Sequence, residues 1–285
     1  DNRNPLKTLP WIIVLVLAPV VGLVFYFFFG QNLSKQRIIS RRMRKRITLQ
    51  LEEAEHAAGP GIPKAYRPLA RLLRTTSHAV PLYGSRITPY TDGSSKMEAL
   101  LGEIARARHH IHLQYYIFCD DETGRRLRDA LVEKARQGVH VRILYDDVGC
   151  SGVRKSFFEG MRREGIEVHA FLHVKFPRFT SKVNYRNHRK IVVIDGRVGF
   201  IGGMNIADRY VRGTEWGSWR DTHFRIEGSG VAGLQIAFLS DWSATTKRHV
   251  SGSEYFPAAQ RYTDNILQIV AGGPLGKWRA LLQAD

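Results

Sequence analysis

His188 and Lys190 are the two side chains of this sequence whose types and spacing best suit chemistry on an anion. They precede the apolar run Ile191–Ile194, which is typical of a short buried strand. Side chains two residues apart in an extended chain project to the same face, so the imidazole and the ammonium group would lie together. An imidazole can attack as a nucleophile or move a proton, and a lysine stabilises negative charge on the group under attack.

The residues that follow complete a pattern suited to phosphate. Asp195 and Gly196 predict a tight hairpin turn, and the return strand ends at Gly202 and Gly203. Because glycines have no side chain, backbone amides at this point can approach an anion closely. Asn205, at the predicted start of the next helix, adds a carboxamide. We therefore expect a phosphate site.

These positions resemble the HKD motif of the phospholipase D superfamily, in which histidine, lysine, aspartate and two glycines follow one another at fixed spacing. The match runs from His188 to Asn205. The resemblance implies that His188 acts as the nucleophile, forming a phosphohistidine, or as the acid. It also implies that Lys190 and Asn205 bind the phosphate oxygens, that Asp195 is mainly structural, and that no metal or cofactor takes part.

A carboxylate is expected beside the catalytic histidine, because it fixes the tautomer and supports the developing positive charge. Asp221 is the candidate, since its separation from the motif resembles that of the family's orienting acid; the alternative is that it caps the next strand. Asp146 and Asp147 end a predicted strand, and we interpret them as anchors of a turn. His173 begins an incomplete copy of the motif, which favours a basic rim of the substrate entrance.

Longer stretches are similar to bacterial cardiolipin synthases. They are GSRITPYTDG, YYIFCDDETGRRLRDAL and WRDTHFRIEG, together with the apolar N-terminal segment. The resemblance implies transfer of a phosphatidyl group from one phosphatidylglycerol to the hydroxyl of another, with release of glycerol. The partners would be anionic phospholipid and the membrane, and nucleic acid is not favoured. The alternatives are a membrane-tethered phosphodiesterase or nuclease working as a dimer, and a catalytically silent half-site.

Strands and helices are predicted to alternate from residue 83 onward. Strands are expected over residues 86–90, 111–118, 139–145 and 166–171, and helices over residues 124–137 and 153–164. A further helix is expected to open at a capping box formed by Ser95 and Glu98. This order favours an α/β sandwich with a mostly parallel central sheet, of the phospholipase D-like kind that the resemblance implies.

An uncharged apolar segment, residues 9–30, precedes the predicted domain. A helix of about 20 residues crosses a bilayer core, so we predict an N-terminal transmembrane helix. Basic residues cluster after this segment, and the positive-inside rule then places the rest of the chain in the cytoplasm, at the inner membrane of a bacterium. The formal charge of +17 also favours an anionic lipid surface or another polyanion.

The sequence contains one copy of the motif, whereas the superfamily chemistry uses two histidines, one attacking and one protonating the leaving group. Residues 265–274 resemble the first predicted strand and its turn, where a second repeat would begin. We therefore divide the chain into an anchor (1–32), a basic juxtamembrane segment and linker (33–82), a first catalytic half (83–262) and the start of a truncated second repeat (263–285). The second half-site would come from a missing C-terminal region or a second subunit. Cys119 and Cys150 are interpreted as packing residues in a reducing compartment.

Overall fold

The computed structural model describes residues 12–23, 61–171, 187–215, 217 and 219–271 of the chain. The strands in these ranges are β1 (Leu82–Tyr83), β2 (Arg86–Tyr90), β3 (His110–Tyr115), β4 (His140–Asp146), β5 (Glu167–Phe171), β6 (Ile191–Ile194), β7 (Val198–Gly202), β8 (His223–Glu227) and β9 (Ile266–Leu267). The helices of the folded domain are α1 (Arg67–Ser77), α2 (Gly93–Arg106), α3 (Glu122–Arg136), α4 (Lys155–Arg163), α5 (Asp208–Arg212) and α6 (Gly230–Thr246).

Seven strands form one central sheet in the order β2-β8-β7-β6-β3-β4-β5. In the described chain, β3 pairs parallel with β4 and β4 with β5, while the other four neighbouring pairs are antiparallel. The prediction of a mostly parallel sheet was therefore wrong, and the sheet is mixed. The tight turn at Asp195 and Gly196, both with positive φ, makes β6 and β7 a hairpin, and the chain then reverses again into β8.

The ends of the strands form two opposite edges of the sheet. β2, β3, β4, β5 and β7 run one way, and β6 and β8 run the other. The upper edge is defined by Tyr115, Asp146, Ile191, Gly202 and His223, and the lower edge by His110, His140, Ile194, Val198 and Glu227. The upper edge therefore contains the residues just before β6 or β8 and the residues just after β3, β4 or β7.

Helices cover both faces of the sheet, which confirms the predicted α/β sandwich. On one face α2, α3 and α4 bury a large cluster that includes Leu100, Leu127 and Phe158, and Val192 and Ile194 of β6 point into it. On the other face α6 packs on the alternate residues of β6. Because strand side chains alternate between faces, a four-residue apolar strand can serve both cores.

Two local predictions differ from the structure. The N-cap of α2 is Asp92, whose Oδ1 accepts a hydrogen bond from the Ser95 amide at 2.8 Å, so the capping box predicted at Ser95 and Glu98 is wrong. The N-cap lies three residues earlier than predicted because the Asp92 carboxylate reaches the amide of Ser95 in the first turn. Helix α5 begins at Asp208 and not at Asn205.

The N-terminal segment is described over residues 12–23, where 12–17 and 19–23 are helical. Within the described ranges, no helix combines the length and the apolar composition needed to cross a bilayer. Most of the predicted basic juxtamembrane segment, and residues 272–285, lie outside these ranges. In the predicted start of a second repeat, β9 pairs antiparallel with β1, apart from the central sheet.

Candidate active site

His188 and Lys190 lie together at the upper edge, just before β6 begins. The imidazole of His188 is exposed, whereas Lys190 is only 2% exposed. The Lys190 Nζ donates a hydrogen bond to the backbone oxygen of His188 at 2.7 Å. The ammonium group is thus fixed against the loop that presents the imidazole, and the structure brings the two residues together.

Tyr116 contacts both of these side chains. Its ring centroid lies 4.8 Å from that of His188, and the Lys190 Nζ lies 5.4 Å from the same tyrosine centroid. The residue follows β3, the strand next to β6 in the sheet, so strand order explains the contact. Sequence reasoning missed Tyr116, although a tyrosine at the end of a buried strand was an available signal.

Burial and charge set the protonation of the pair. Burial lowers the pKa of His188, Lys190 lowers it further, and the carboxylates of Asp146 and Asp221 raise it. Burial lowers the pKa of Lys190 to about 8, and Asp221 opposes that shift. Near neutral pH the imidazole is therefore mostly neutral and able to attack, while the lysine is mostly protonated and able to bind an anion.

Asp221 precedes β8 at the same edge, and its carboxylate lies against Gly203. A Cβ atom on Gly203 would collide with that carboxylate. The Gly203 amide donates to the Thr222 backbone oxygen at 2.9 Å, so binding of phosphate by this amide stays a prediction. The Asp221 Oδ1 accepts from the Thr222 amide at 2.7 Å, which agrees with the alternative capping role, while its charge acts on His188 and Lys190.

Asn205 follows β7 at the upper edge and is buried, with both ends of its carboxamide hydrogen-bonded. Its Oδ1 accepts from the Ile117 amide at 3.1 Å, and its Nδ2 donates to the Tyr210 hydroxyl at 2.6 Å. The first bond ties the chain after β7 to the chain after β3, and the second ties it to helix α5. The Nδ2 group carries a second proton, and its use in binding phosphate stays a prediction.

Asp195 is at the opposite end of the hairpin, so the structure does not bring it to His188. Its carboxylate accepts hydrogen bonds, each 2.8 Å long, from the backbone amides of Arg108, His109 and His110 at the lower edge. The four-residue strand β6 lies between Lys190 and Asp195, so five residue steps separate their Cα atoms, about 16 Å at roughly 3.3 Å per residue. Its contacts are those of a structural residue that fixes the start of β3.

Two other carboxylates hold the loop that carries His188. Asp146 accepts from the amides of Val148 and Gly149 through Oδ1 and from the Asn187 amide at 3.0 Å through Oδ2. The interpretation of Asp146 as a turn anchor is thus supported. On helix α6, Asp241 binds the Asn187 Nδ2 at 2.8 Å and pairs with Arg189.

These contacts hold Asn187 and Arg189, the residues on either side of His188, in place. The Asp241 Oδ2 also accepts from the Gln114 Nε2 of β3 at 2.7 Å, which links α6, the sheet and the loop. Sequence reasoning missed Asp241. A carboxylate within an otherwise largely apolar helix was the signal, since such a group is buried only with partners.

Lys96, Tyr115 and His223 form a buried cluster close to Lys190. The Lys96 Nζ donates to the Tyr115 hydroxyl at 2.9 Å, and burial lowers the Lys96 pKa to about 7. Burial, with the charges of Lys96 and Lys190, lowers the pKa of His223 to about 2. Neither ring nitrogen of His223 has a hydrogen-bond partner within the described part of the chain. Near neutral pH His223 is therefore uncharged and Lys96 is only partly protonated, so the cluster contributes little fixed charge next to Lys190.

Other predicted residues lie elsewhere. His173 lies outside the described residues, as does the whole of the range 172–186. Cys150 is buried and its Sγ accepts from the Phe118 amide, while Cys119 is half-buried; both thiols are free. Across the described ranges, no group of three histidine, cysteine or acidic residues is arranged to hold a metal ion.

The amino-acid sequence is similar to those of known proteins. The family model described as "Cardiolipin synthase, PLD-like domain" matches residues 100–217, and "Phospholipase_D-nuclease N-terminal" matches residues 2–31. Cardiolipin synthase of Geobacillus kaustophilus is 40% identical over 99% of this chain and 58% of its own length. The major cardiolipin synthase ClsA of Bacillus subtilis is 36% identical over 99% of this chain and 61% of its own length.

The chain therefore spans about three fifths of the length of these curated relatives. Among solved structures, Nuc from Salmonella typhimurium, a phospholipase D family member, aligns with a TM-score of 0.43 and 16% identity, over 60% of this chain and 99% of that one. The chain is therefore similar to cardiolipin synthases over the N-terminal part of their length, and its residues 100–217 match their phospholipase D-like domain.

Proposed function

We propose that this chain carries one half-site of a phosphatidyltransferase that makes cardiolipin from two molecules of phosphatidylglycerol. One observation carries the proposal: an exposed, mostly neutral imidazole at His188 lies beside the buried ammonium group of Lys190 at an edge that also holds Asp221. A neutral nucleophile, a fixed cation and a nearby carboxylate are what phosphoryl transfer through a phosphohistidine requires. The similarity to cardiolipin synthases supports the choice of lipid substrate.

In the first step a ring nitrogen of His188 attacks the phosphorus of phosphatidylglycerol. The bond from phosphorus to the headgroup glycerol oxygen breaks, and glycerol leaves after taking a proton from a general acid. Lys190 binds a non-bridging oxygen, and Asp221 stabilises the positive charge that develops on the imidazole. The acid would be the histidine of a second half-site, from the C-terminal part of the protein or from a second subunit.

In the second step the hydroxyl of another phosphatidylglycerol attacks the phosphatidyl-histidine. The phosphorus–nitrogen bond breaks, the hydroxyl proton returns to the second half-site, and His188 is neutral again. The upper edge is open at His188, which suits an acceptor that approaches from outside the domain.

We further propose that residues 9–30 anchor the chain in a bacterial inner membrane, with the domain on the cytoplasmic side. The uncharged segment and the basic residues after it support this topology. Reporter fusions after residues 32 and 262 test it. Both are expected to report a cytoplasmic location, and a periplasmic signal from either would contradict the orientation.

Substitution of His188 by alanine tests the catalytic assignment in the assembled enzyme, meaning this chain with its second half-site. Vesicles of phosphatidylglycerol serve as substrate, and cardiolipin is measured. Activity is expected to disappear in His188→Ala and to persist in His140→Ala, which removes an exposed histidine at the lower edge. Cardiolipin formation by His188→Ala at the parental rate would refute the assignment.

The alternative of a membrane-tethered nuclease shares every site residue and the net charge of +17. The same preparations are therefore offered single-stranded DNA. Cleavage of DNA without cardiolipin formation would favour the nuclease, and absence of both activities in the assembled protein would favour a silent half-site.

A further inference from the structure

Tyr116 is half-buried at the upper edge, and the backbone around it is held from two sides. On one side the Ile117 amide donates to the Asn205 Oδ1 at 3.1 Å. On the other side the Cys150 Sγ donates to the Tyr116 backbone oxygen at 3.6 Å. The position of the tyrosine is therefore set by the chain that follows β7 and by the chain that follows β4.

Gly149, in the loop after β4, makes room for this tyrosine. A Cβ atom on Gly149 would collide with the Tyr116 backbone oxygen and would lie only 3.0 Å from the ring carbon Cδ2. The absence of a side chain allows the loop to approach both the backbone and the ring. The tyrosine ring thus lies directly against the loop.

One carboxylate holds this loop and also the loop that carries His188. The Asp146 Oδ1 accepts a hydrogen bond from the Gly149 amide at 2.9 Å, and its Oδ2 accepts one from the Asn187 amide at 3.0 Å. Gly149 contacts the tyrosine, and Asn187 immediately precedes the histidine. Asp146 therefore helps to keep the two rings at their centroid distance of 4.8 Å.

The tyrosine ring lies near one cation and near a second group that becomes cationic. The Lys190 Nζ is 5.4 Å from the ring centroid, within the range of about 6 Å over which an aromatic ring attracts a cation. When His188 attacks phosphorus, its other ring nitrogen keeps a proton, so the imidazole carries a positive charge until the phosphorus–nitrogen bond breaks in the second step. A neighbouring aromatic ring stabilises that charge.

We propose that Tyr116 is a positioning residue of the transfer reaction, whose ring holds the Lys190 ammonium group, restricts the orientation of the His188 imidazole and stabilises the phosphohistidine. These contacts are made by the ring, so phenylalanine should replace the tyrosine and leucine should not. The proposal rests on the proposed function, because it takes His188 as the nucleophile.

Cardiolipin synthesis by the assembled enzyme tests the proposal with the variants Tyr116→Phe and Tyr116→Leu. The phenylalanine variant keeps the aromatic ring and should retain kcat within about twofold of the parent. The leucine variant is still apolar but has no ring. Its kcat should fall by about tenfold, the ratio that corresponds to a cation–π interaction at a partly desolvated site.

The matched control is Tyr145→Leu, which removes another half-buried tyrosine ring from the same sheet. That ring stacks on Phe158, with 3.9 Å between the ring centroids. Denaturant unfolding gives the folded fraction of each variant. Activity per folded molecule of Tyr145→Leu should stay close to that of the parent.

A second readout needs no catalysis. Histidine labelled with ¹³C at Cε1 is incorporated into the full chain, and the NMR signal that is missing from His188→Ala is assigned to His188. The ring current of Tyr116 displaces this signal. It should therefore move in Tyr116→Leu and stay close to its parental position in Tyr116→Phe and in Tyr145→Leu.

Any one of four results would overturn the proposal. They are a parental rate in Tyr116→Leu, an equal loss of rate in Tyr116→Phe, an equal loss in Tyr145→Leu, and a His188 signal that does not move in Tyr116→Leu. The second would assign the effect to the hydroxyl group, and the third to general packing. Cardiolipin synthesis by His188→Ala at the parental rate would instead refute the proposed function, while the NMR signal would still show whether Tyr116 orients the imidazole.

Discussion

His188 and Lys190 lie at one end of the β6–β7 hairpin and Asp195 lies at the other, and the environments of these motif residues differ. At the lower edge the Asp195 carboxylate accepts three short hydrogen bonds from consecutive backbone amides. At the upper edge the Lys190 ammonium group is buried with a pKa lowered to about 8, and the His188 imidazole faces solvent. One end is a hydrogen-bonded carboxylate that fixes the chain, and the other is a buried cation beside an exposed, mostly neutral imidazole.

This difference separates structural from chemical roles within the motif. A half-buried carboxylate that accepts three backbone hydrogen bonds is a stable element of the fold. A buried cation with lowered pKa, beside an exposed nucleophile, is costly to the folded state and typical of a functional site. We therefore expect substitutions at the upper edge to reduce activity with little loss of stability, and substitutions at the lower edge to do the reverse.

The largest effect should follow His188→Ala. Cardiolipin synthesis by the assembled enzyme should fall by roughly a thousandfold or more, because no other group replaces a nucleophile. The free energy of unfolding should change by less than about 0.5 kcal/mol, since the side chain is exposed. Denaturant unfolding and a cardiolipin assay on the same preparation measure both quantities. A marked loss of stability would break the contrast between the two edges.

Asp195→Ala should show the opposite pattern. The loss of three hydrogen bonds to a carboxylate, and the cost of alanine at positive φ, should lower the free energy of unfolding by about 3 kcal/mol. Activity per folded molecule should change only a few-fold. Asp195→Asn is the matched variant: it keeps an acceptor and tolerates the same φ, so it should recover part of the loss. A variant that stays fully stable yet loses activity would place Asp195 in the chemistry.

The local features of this site could be predicted from the sequence, whereas the long-range contacts could not. The hairpin at Asp195 and Gly196 and the pairing of His188 with Lys190 follow from turn chemistry and strand periodicity, which act over a few residues. Strand order is different, because β2 lies at one end of the sheet while β3 lies in its middle. Helix α2 joins two strands that are not neighbours, and no local pattern specifies that crossing.

The same limit explains the residues that were missed. Tyr116 reaches His188 because β3 and β6 are adjacent, and Asp241 reaches Asn187 from a helix 54 positions away. Each contact depends on the assembled sandwich. Asp221 was accessible from the sequence only through its resemblance to the family's orienting acid, and its proximity to Gly203 is a property of the fold.

Asp241→Asn tests whether the contacts of Asp241 with Asn187 and Arg189 matter to the chemistry. The change keeps the shape but removes the charge paired with Arg189, so we expect about tenfold lower activity and about 1–2 kcal/mol lower stability. Asp129→Asn, which affects an exposed pair on α3, should change neither. Equal behaviour of the two variants in activity and unfolding assays would mean that Asp241 does not position His188.

The smallest expected effect is a shift in the pH profile of Asp221→Asn, and it tests most directly how charge controls the site. Activity requires neutral His188 and protonated Lys190, so the rate should rise through the His188 pKa, which burial lowers, and fall near pH 8 as Lys190 loses its proton. Asp221 raises both pKa values by its negative charge. Its removal should therefore move both limbs of the kcat/KM profile toward lower pH.

Asp195→Asn serves as the control for this shift, because Asp195 is not among the charges that set the pKa of His188 or Lys190. Its profile should keep both limbs in place even if its stability falls. If Asp221→Asn moved one limb alone, or moved either limb toward higher pH, Asp221 would act by shape and hydrogen bonding and not by charge. A parallel shift of both limbs, absent in the lower-edge variant, would place the electrostatic control of the reaction at the upper edge.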